Sequence, residues 1–201
     1  MVLPSGTYVI GGSSSNENEM LPTGSNTWQE FSATPIALHR SYPGCAVDIG
    51  PTRFLSVDQD NVQEYDTELE TWTVWPGLTQ YRRVHSCARL GNKVVVTGGA
   101  NNGYLTSTEV IDIIDKTVTP GGNLHEARGY FGMAAVTWPP GTGEHRIIAF
   151  GGLMYYGSPS TRVDHDSIEV WTGLEWEQSN ITLTTPKSSF GFTAIPAKFC
   201  A

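Results

Sequence analysis

The chain has 201 residues, 39% hydrophobic and 16% charged, so it is long enough to bury a core and has an ordinary globular composition. Its net charge of −8 argues against a general binder of nucleic acid or of anionic membranes. Its longest apolar runs have the length of strands, and it lacks long apolar stripes of helical period, so we expect strands and little helix.

In chain order, the first recurring element is a short β-rich run that ends in two glycines. It occurs at residues 7–12, 93–99 and 146–152, and in a second copy Asp58-Gln59 replaces the glycine pair. Two glycines allow the backbone to turn where a side chain would clash. A unit that returns along the chain in this way predicts a repeat architecture.

Three further landmarks accompany this element. An alternating strand such as Glu109–Asp112 follows the glycine pair. A tryptophan then begins the outermost strand and is interpreted as a packing residue; these are Trp28, Trp72 and Trp176, with Val118 in the third copy. A basic residue opens each unit ahead of a small residue and an apolar strand; these openers are Arg40, Arg83, Arg128 and Lys187.

Taken in this order, the landmarks resemble the kelch repeat over nearly the whole chain. The resemblance implies an all-β, kelch-type β-propeller in which each repeat is a four-stranded antiparallel blade. We therefore predict a single domain over 1–201 with about four blade units at 1–38, 39–80, 81–126 and 127–184, and a closing strand at 185–201. The departures at Asp58-Gln59, Val118 and Met20-Leu21-Pro22 put the regularity of the blades in question.

The arrangement of the ends leaves two interpretations open. Three units are continuous, whereas the first starts at its second strand, Thr7–Ile10, and Lys187–Ile195 offers the missing kind of inner strand. The C-terminal strand could close a four-bladed ring and remove the exposed sheet edges. Alternatively, the chain is a fragment of a six- or seven-bladed ring, which is the usual size implied by the resemblance and is favoured here.

The sequence predicts neither a catalytic nor a metal site, and no cofactor. The five histidines are scattered, and Asp164-His165-Asp166 is interpreted as a turn rather than a cation site. Cys45, Cys87 and Cys200 lack metal-binding spacing. Because Cys45 and Cys87 fall at equivalent places in successive inner strands, we interpret them as small buried hydrophobic residues rather than a disulfide or a reactive thiol.

Equivalent positions of a propeller lie on one rim, so the basic openers should gather there with polar and aromatic neighbours. Unit four also carries two insertions, and Tyr155 and Tyr156 lie in the one at 153–166. The candidate binding residues are Arg40, Tyr42, Arg83, His85, Arg128, Tyr130, Lys187, Ser189, Tyr155 and Tyr156. Arginine pairs with carboxylates and tyrosine offers rigid contact area, which suits an acidic peptide. For any single arginine, however, we favour a brace that pairs with a carboxylate such as Glu109.

The resulting functional prediction is a non-catalytic scaffold that binds a protein or peptide through its rim loops, with an acidic peptide as a candidate partner. One alternative is a kelch-propeller enzyme that acts on sugars or resembles a copper oxidase. Another is a secreted kelch protein, in which Asn180-Ile181-Thr182 would accept a glycan. Residues 1–6 lead directly into a strand without a signal peptide, which slightly favours the cytoplasm for the chain as it stands and secretion if its N-terminus is truncated.

Overall fold

The computed structural model describes residues 1–11, 17–36, 44–139, 141–157 and 161–190. These residues form eighteen β-strands, all paired in antiparallel sheets, and contain no helix. The prediction of an all-β protein is therefore confirmed.

The first two sheets each contain four strands that pair in chain order. The first comprises β1 (Val2–Leu3), β2 (Gly6–Val9), β3 (Asn18–Pro22) and β4 (Gln29–Phe31). The second comprises β5 (Cys45–Asp48), β6 (Arg53–Asp58), β7 (Asn61–Asp66) and β8 (Thr71–Val74).

The third and fourth sheets have the same order, with one insertion. The third comprises β9 (Ser86–Leu90), β10 (Lys93–Thr97), β11 (Thr108–Asp112) and β12 (Thr117–Pro120). The fourth comprises β13 (Gly132–Thr137), β14 (His145–Phe150), β17 (Ile168–Trp171) and β18 (Trp176–Gln178). Between β14 and β17, the predicted insertion forms a hairpin of β15 (Leu153–Tyr156) and β16 (Thr161–Asp164).

The glycine pairs of the third and fourth sheets follow the second strand of each sheet and approach the segment that comes next. Gly98 and Gly99 have φ angles of 63° and 90°, in the region that favours glycine. A Cβ at Gly98 would lie 2.6 Å from the carbonyl oxygen of Arg128, in the opener of the fourth sheet. Gly151 and Gly152 repeat the conformation, with φ angles of 65° and 95°. The pair therefore provides both the turn and the close approach of the following segment.

Successive sheets pack face to face through three apolar clusters. The first lies between sheets one and two and centres on Leu3, Tyr8, Phe54 and Tyr65. The second lies between sheets two and three and includes Val47, Leu55, Val57, Val94, Val96 and Ile111. The third lies between sheets three and four and includes Val95, Val110, Phe131, Ile147, Trp171 and Trp176. Among the described residues, no such cluster joins the fourth sheet to the first.

The first sheet differs from its predicted form. Val2 and Leu3 pair with Thr7 and Gly6, so the sheet contains a short first strand of its own, and the expectation that it lacks one is wrong. Part of the predicted closing strand, 191–201, lies outside the described residues. The amide of Ser189, just before it, donates to the carbonyl of Tyr130 at 2.9 Å, next to the fourth sheet.

Cys45 and Cys87 form a disulfide with a Cα–Cα distance of 5.9 Å, so their interpretation as separate hydrophobic residues is wrong. The strand registers explain why. Cys45 pairs with Val57, which lies four residues after the start of β6. Cys87 pairs with Val96, which lies three residues after the start of β10. The two cysteines therefore differ by one residue in their place along equivalent strands. Because side chains alternate across a strand, this one-residue offset turns the two sulfurs toward each other between the sheets.

The tryptophans pack less uniformly than predicted. Trp176 is buried and Trp72 half-buried, but Trp28 is 44% exposed and is not a core residue.

Candidate functional site

The openers of the third and fourth sheets align at Arg82 and Arg128, one position away from the predicted Arg83. Val84 and Tyr130, each two residues further on, share a left-handed backbone with φ angles of 49° and 54°. The side chains of Arg82 and Arg128 are both fully buried. Arg83 is therefore not the counterpart of Arg128.

Both buried arginines tie the end of their own sheet together. Arg82 Nη1 donates to the carbonyl oxygens of Gly98 and Ser107 at 2.8 and 3.0 Å. Its Nη2 lies 3.0 Å from Oε2 of Glu109. Arg128 likewise donates to the carbonyls of Gly151 and Ser167, at 2.8 and 3.3 Å, and pairs with Glu169 at 2.8 Å.

The paired glutamates also fasten the preceding loop. Oε1 of Glu109 accepts hydrogen bonds from the amide and hydroxyl of Thr79 at 2.6 and 2.7 Å. Although burial opposes its ionisation, these bonds and Arg82 lower the pKa of Glu109. Oε2 of Glu169 accepts the amide of His125 at 2.7 Å. Arg128 is thus a brace paired with a carboxylate, as favoured for a single arginine, and its buried side chain does not face a ligand.

His85 is also buried and does not face a ligand. Its Nδ1 lies 3.1 Å from the carbonyl oxygen of Arg82. Burial, reinforced by the charge of Arg82, lowers its pKa to about 4, so its imidazole is neutral at pH 7. Phe131 lies at the equivalent place, three residues after Arg128. Both side chains lie against a glycine of their own sheet's pair: a Cβ at Gly99 would be 3.0 Å from Cβ of His85, and one at Gly152 would be 2.6 Å from Cβ of Phe131.

A surface pocket of about 300 Å³ lies where the segment that precedes the first strand of the third sheet meets the corresponding segment of the fourth sheet. We call it the tyrosine pocket, because three tyrosines are prominent in its wall. Its lining comprises Tyr81, Arg83, Val84, Ala100, Asn101, Asn102, Tyr104 and Tyr130.

Backbone hydrogen bonds fix the floor of the tyrosine pocket. Arg83 and Ala100 exchange amide–carbonyl bonds of 3.0 and 2.8 Å, and the amide of Tyr130 donates to the carbonyl of Val84 at 3.0 Å. Gly129 lies closely beneath Tyr104, because a Cβ there would be 2.8 Å from that ring and would displace it. These contacts hold the side chains on a preformed surface.

Arg83 is positioned by an aromatic partner. Its Nε donates to the hydroxyl of Tyr81 at 2.7 Å, and its guanidinium carbon lies 5.2 Å from the centre of the Tyr81 ring. Such a cation–π contact fixes the guanidinium plane beside the pocket.

The hairpin β15–β16 extends the aromatic surface. Its Leu153 exchanges backbone hydrogen bonds of 2.9 Å with Gly129, which places the hairpin beside the opener of the fourth sheet. Tyr155, 46% exposed, lies 6.1 Å from Tyr104 between ring centres. Arg162 on the same hairpin pairs with both oxygens of Asp164, at 2.9 and 2.8 Å.

The electrostatics of the tyrosine pocket differ from those of the whole chain. Arg83 is the one charged side chain in the described lining, although the chain has a net charge of −8. Burial, with the neighbouring Tyr130 and Tyr155, raises the pKa of Tyr104, which stays a neutral hydrogen-bonding phenol at pH 7. The pocket can therefore accept a negative group without a carboxylate opposing it.

The structure brings three of the predicted residues to this surface: Arg83, Tyr130 and Tyr155. Tyr156 is 54% exposed on the same hairpin, and Lys187 and Ser189 are exposed after the fourth sheet. Arg40 and Tyr42 lie outside the described residues.

Sequence reasoning missed Tyr81 and Tyr104. Tyr81 precedes Arg83 by two residues, a spacing that puts both side chains on one side of an extended segment. Tyr104 lies in the loop after Gly98-Gly99. An aromatic residue in such a loop is a signal of a binding surface that could have identified it.

The described part of the chain holds no cluster of three or more histidine, cysteine or acidic side chains placed to bind a metal. Nor does it hold a helix long and apolar enough to cross a membrane. In the segment Asp164-His165-Asp166, Asp164 is paired with Arg162, and Nε2 of His165 lies 3.2 Å from the carbonyl of Ala127.

Comparisons with known proteins add no assignment, since no family model matches the chain and no curated protein matches its sequence.

Proposed function

We propose that the chain is built from kelch-type propeller blades and binds an acidic peptide segment in the tyrosine pocket, without catalysing a reaction. The observation that carries this proposal is the pocket lining, which combines one guanidinium with three tyrosines and has no carboxylate among its described residues.

The propeller part of the proposal is supported by the regularity of the sheets. Four sheets have the same strand order, and three apolar clusters pack each of the first three sheets on the next. The glycine pairs of the third and fourth sheets both approach the following opener. Radial repetition of four-stranded sheets is the arrangement that defines propeller blades.

The peptide part is supported by the chemistry of the lining. A guanidinium offers several N–H donors in a planar array, which matches the two oxygens of a carboxylate. Tyrosines lose little conformational entropy on binding and contribute large contact areas, as at protein-binding surfaces. Asn101 and Asn102, both exposed at the pocket edge, add donors and acceptors suited to a peptide backbone.

The test compares three short probes, in which glycine alternates with glutamate, glutamine or lysine. We expect the glutamate peptide to bind roughly tenfold more tightly than the glutamine peptide, since each charge-assisted hydrogen bond adds about 1.5–3 kcal/mol. Isothermal titration calorimetry at low salt would measure the difference.

Two variants locate the binding. Arg83→Gln should remove most of the preference for glutamate. Arg146→Gln is the matched control, because Arg146 lies at the other end of β14 from the glycine pair and is paired with Glu144 at 2.7 Å. Equal binding of all three probes, or an equal loss in both variants, would contradict the proposal. Binding of a neutral oligosaccharide in place of the acidic peptide would instead support a carbohydrate-binding alternative.

A further inference from the structure

We infer that Asn180 is an N-glycosylation site, and that the chain folds in an oxidising secretory compartment where its Cys45–Cys87 disulfide closes. Two independent features, far apart in the sequence, support this inference. Neither depends on the tyrosine pocket.

The first feature is the disulfide between the second and third sheets. Disulfides form and persist in secreted and extracellular proteins and are rare where glutathione keeps thiols reduced. In closing the bond, the two thiols release two protons and pass two electrons to a disulfide-bonded oxidoreductase, which is reduced to its dithiol. The one-residue offset between β5 and β9 makes this closure part of the fold.

The second feature is the accessibility of the sequon. Asn180-Ile181-Thr182 is the one Asn-x-Ser/Thr triplet in the sequence, and all three residues are exposed in a segment without secondary structure. Within the described part of the chain, the Asn180 side chain makes no hydrogen bond. An acceptor asparagine must reach the transferase from a surface loop, and this one does.

The loop around Asn180 is also held in place without using the asparagine. The amide of Ser179 donates to the carbonyl of Ile168 at 2.8 Å, and the amide of Leu183 donates to the carbonyl of Asp166 at 2.7 Å. The amide of Ile181 donates to Oγ of Ser179 at 2.9 Å. A glycan can therefore be attached at Asn180 without breaking a contact that holds the fourth sheet.

The transfer uses a lipid-linked oligosaccharide diphosphate as its donor. Nδ2 of Asn180 forms a bond to the anomeric carbon while the bond from that carbon to the diphosphate breaks. The amide loses one proton, and the lipid diphosphate leaves with the bonding electron pair. No oxidant or reductant is needed in this step.

The experiment expresses the full chain behind a cleavable secretion signal in eukaryotic cells and analyses both medium and cell lysate. We expect one mobility shift on digestion with peptide N-glycosidase, with Asn180 converted to aspartate in the peptide mass spectrum. Asn180→Gln and Thr182→Ala should abolish the shift. Thr182→Ser is the matched control and should retain it, since serine completes the sequon.

The same material tests the disulfide. With three cysteines in the chain, alkylation should label one thiol before reduction and three after it, with Cys45 and Cys87 protected. A disulfide-bonded chain without a glycan in medium and lysate would overturn the assignment of Asn180. Three labelled thiols before reduction would overturn the oxidising compartment.

Discussion

The second and third sheets fasten equivalent loops with different chemistry. Gln63 and Glu109 each lie three residues before an aspartate, Asp66 or Asp112, that accepts backbone amides in the following turn. Gln63 exchanges two hydrogen bonds with the backbone of Ile36, at 2.9 and 3.1 Å. Glu109 accepts from Thr79 and pairs with Arg82 instead.

This difference shows two ways to satisfy the same buried position. An amide both donates and accepts, so Gln63 can bind a peptide group without introducing charge. A carboxylate only accepts, and burying its charge is costly unless a cation accompanies it. A loop fastened by a buried glutamate, as at Glu109, therefore requires a buried arginine, whereas a loop fastened by a buried glutamine, as at Gln63, does not.

The largest expected effect comes from breaking the buried ion pair between Arg82 and Glu109. Glu109→Ala leaves the fully buried Arg82 without its carboxylate, and we expect a loss of about 3–5 kcal/mol in the free energy of unfolding. Gln63→Ala removes a neutral partner and should cost about 1–3 kcal/mol. Urea unfolding of both variants would measure the difference, and equal losses would contradict the account.

A related pair of variants tests how the charge is shared. Arg128 keeps a second carboxylate, Glu126, at 3.0 Å, whereas the side chain at the corresponding position beside Arg82 is Gln80. Glu169→Gln should therefore destabilise the chain less than Glu109→Gln, as measured by the same unfolding curves. The reverse order would show that the second carboxylate does not compensate the buried charge.

The disulfide between these sheets comes next in size. It closes a loop with a sequence separation of 42 residues, so its removal should lower stability by about 2–4 kcal/mol. The measurement is the melting temperature of the Cys45→Ala/Cys87→Ala chain with and without reductant. Reductant should lower the melting temperature of the wild type to that of the variant and leave the melting temperature of the variant unchanged. An equal decrease in both chains would point to another cause.

A smaller effect depends on pH. Burial keeps His85 neutral in the folded chain with a pKa of about 4, whereas an unfolded histidine has a pKa of about 6.5. The unfolded state therefore binds more protons between these values, and stability is full above about pH 6.5 and falls as the pH drops toward 4. We expect a loss of about 2 kcal/mol between pH 7 and 5 from this residue.

His85→Phe is the variant that isolates this contribution, since Phe131 follows the opener of the fourth sheet at the equivalent place. The variant should flatten the fall in stability between pH 6.5 and 4, as followed by denaturant unfolding at several pH values. An unchanged slope would assign the pH dependence to other groups.

The smallest effect tests a surface link between the two sheets. Lys116 of the third sheet lies 3.2 Å from Glu64 of the second and 4.7 Å from the Trp75 ring. Because Lys116 is half-exposed, Lys116→Gln should cost less than about 1 kcal/mol. A larger loss in chemical denaturation would mean that the boundary between the sheets depends on this surface pair.

The elements of the fold could be predicted from local sequence, but their registers could not. Alternating runs and glycine pairs indicated hairpins, because turn chemistry and side-chain alternation are local properties. A shift of one residue decides whether Arg82 or Arg83 is the buried arginine. A shift of one residue also decides whether the side chains of Cys45 and Cys87 point toward each other. Such a shift exchanges the two faces of a strand and is decided by partners distant in sequence.

The candidate site shows the same limit. Arg83, Tyr130 and Tyr155 were predicted from repeat positions and loop composition. Tyr104 could not be, because its place depends on packing over Gly129 in the next sheet. Burial of Arg128 and His85 likewise follows from contacts between segments, not from their own sequence neighbourhood.

The most direct test of the central proposal is an NMR titration of the chain with ¹³C-labelled tyrosine rings, using the alternating glutamate–glycine peptide. The account predicts shifts for Tyr81, Tyr104 and Tyr130, with Tyr8 and Tyr65 unchanged in the core between the first two sheets. Shifts confined to tyrosines outside the pocket, or no shift at saturating peptide, would contradict it.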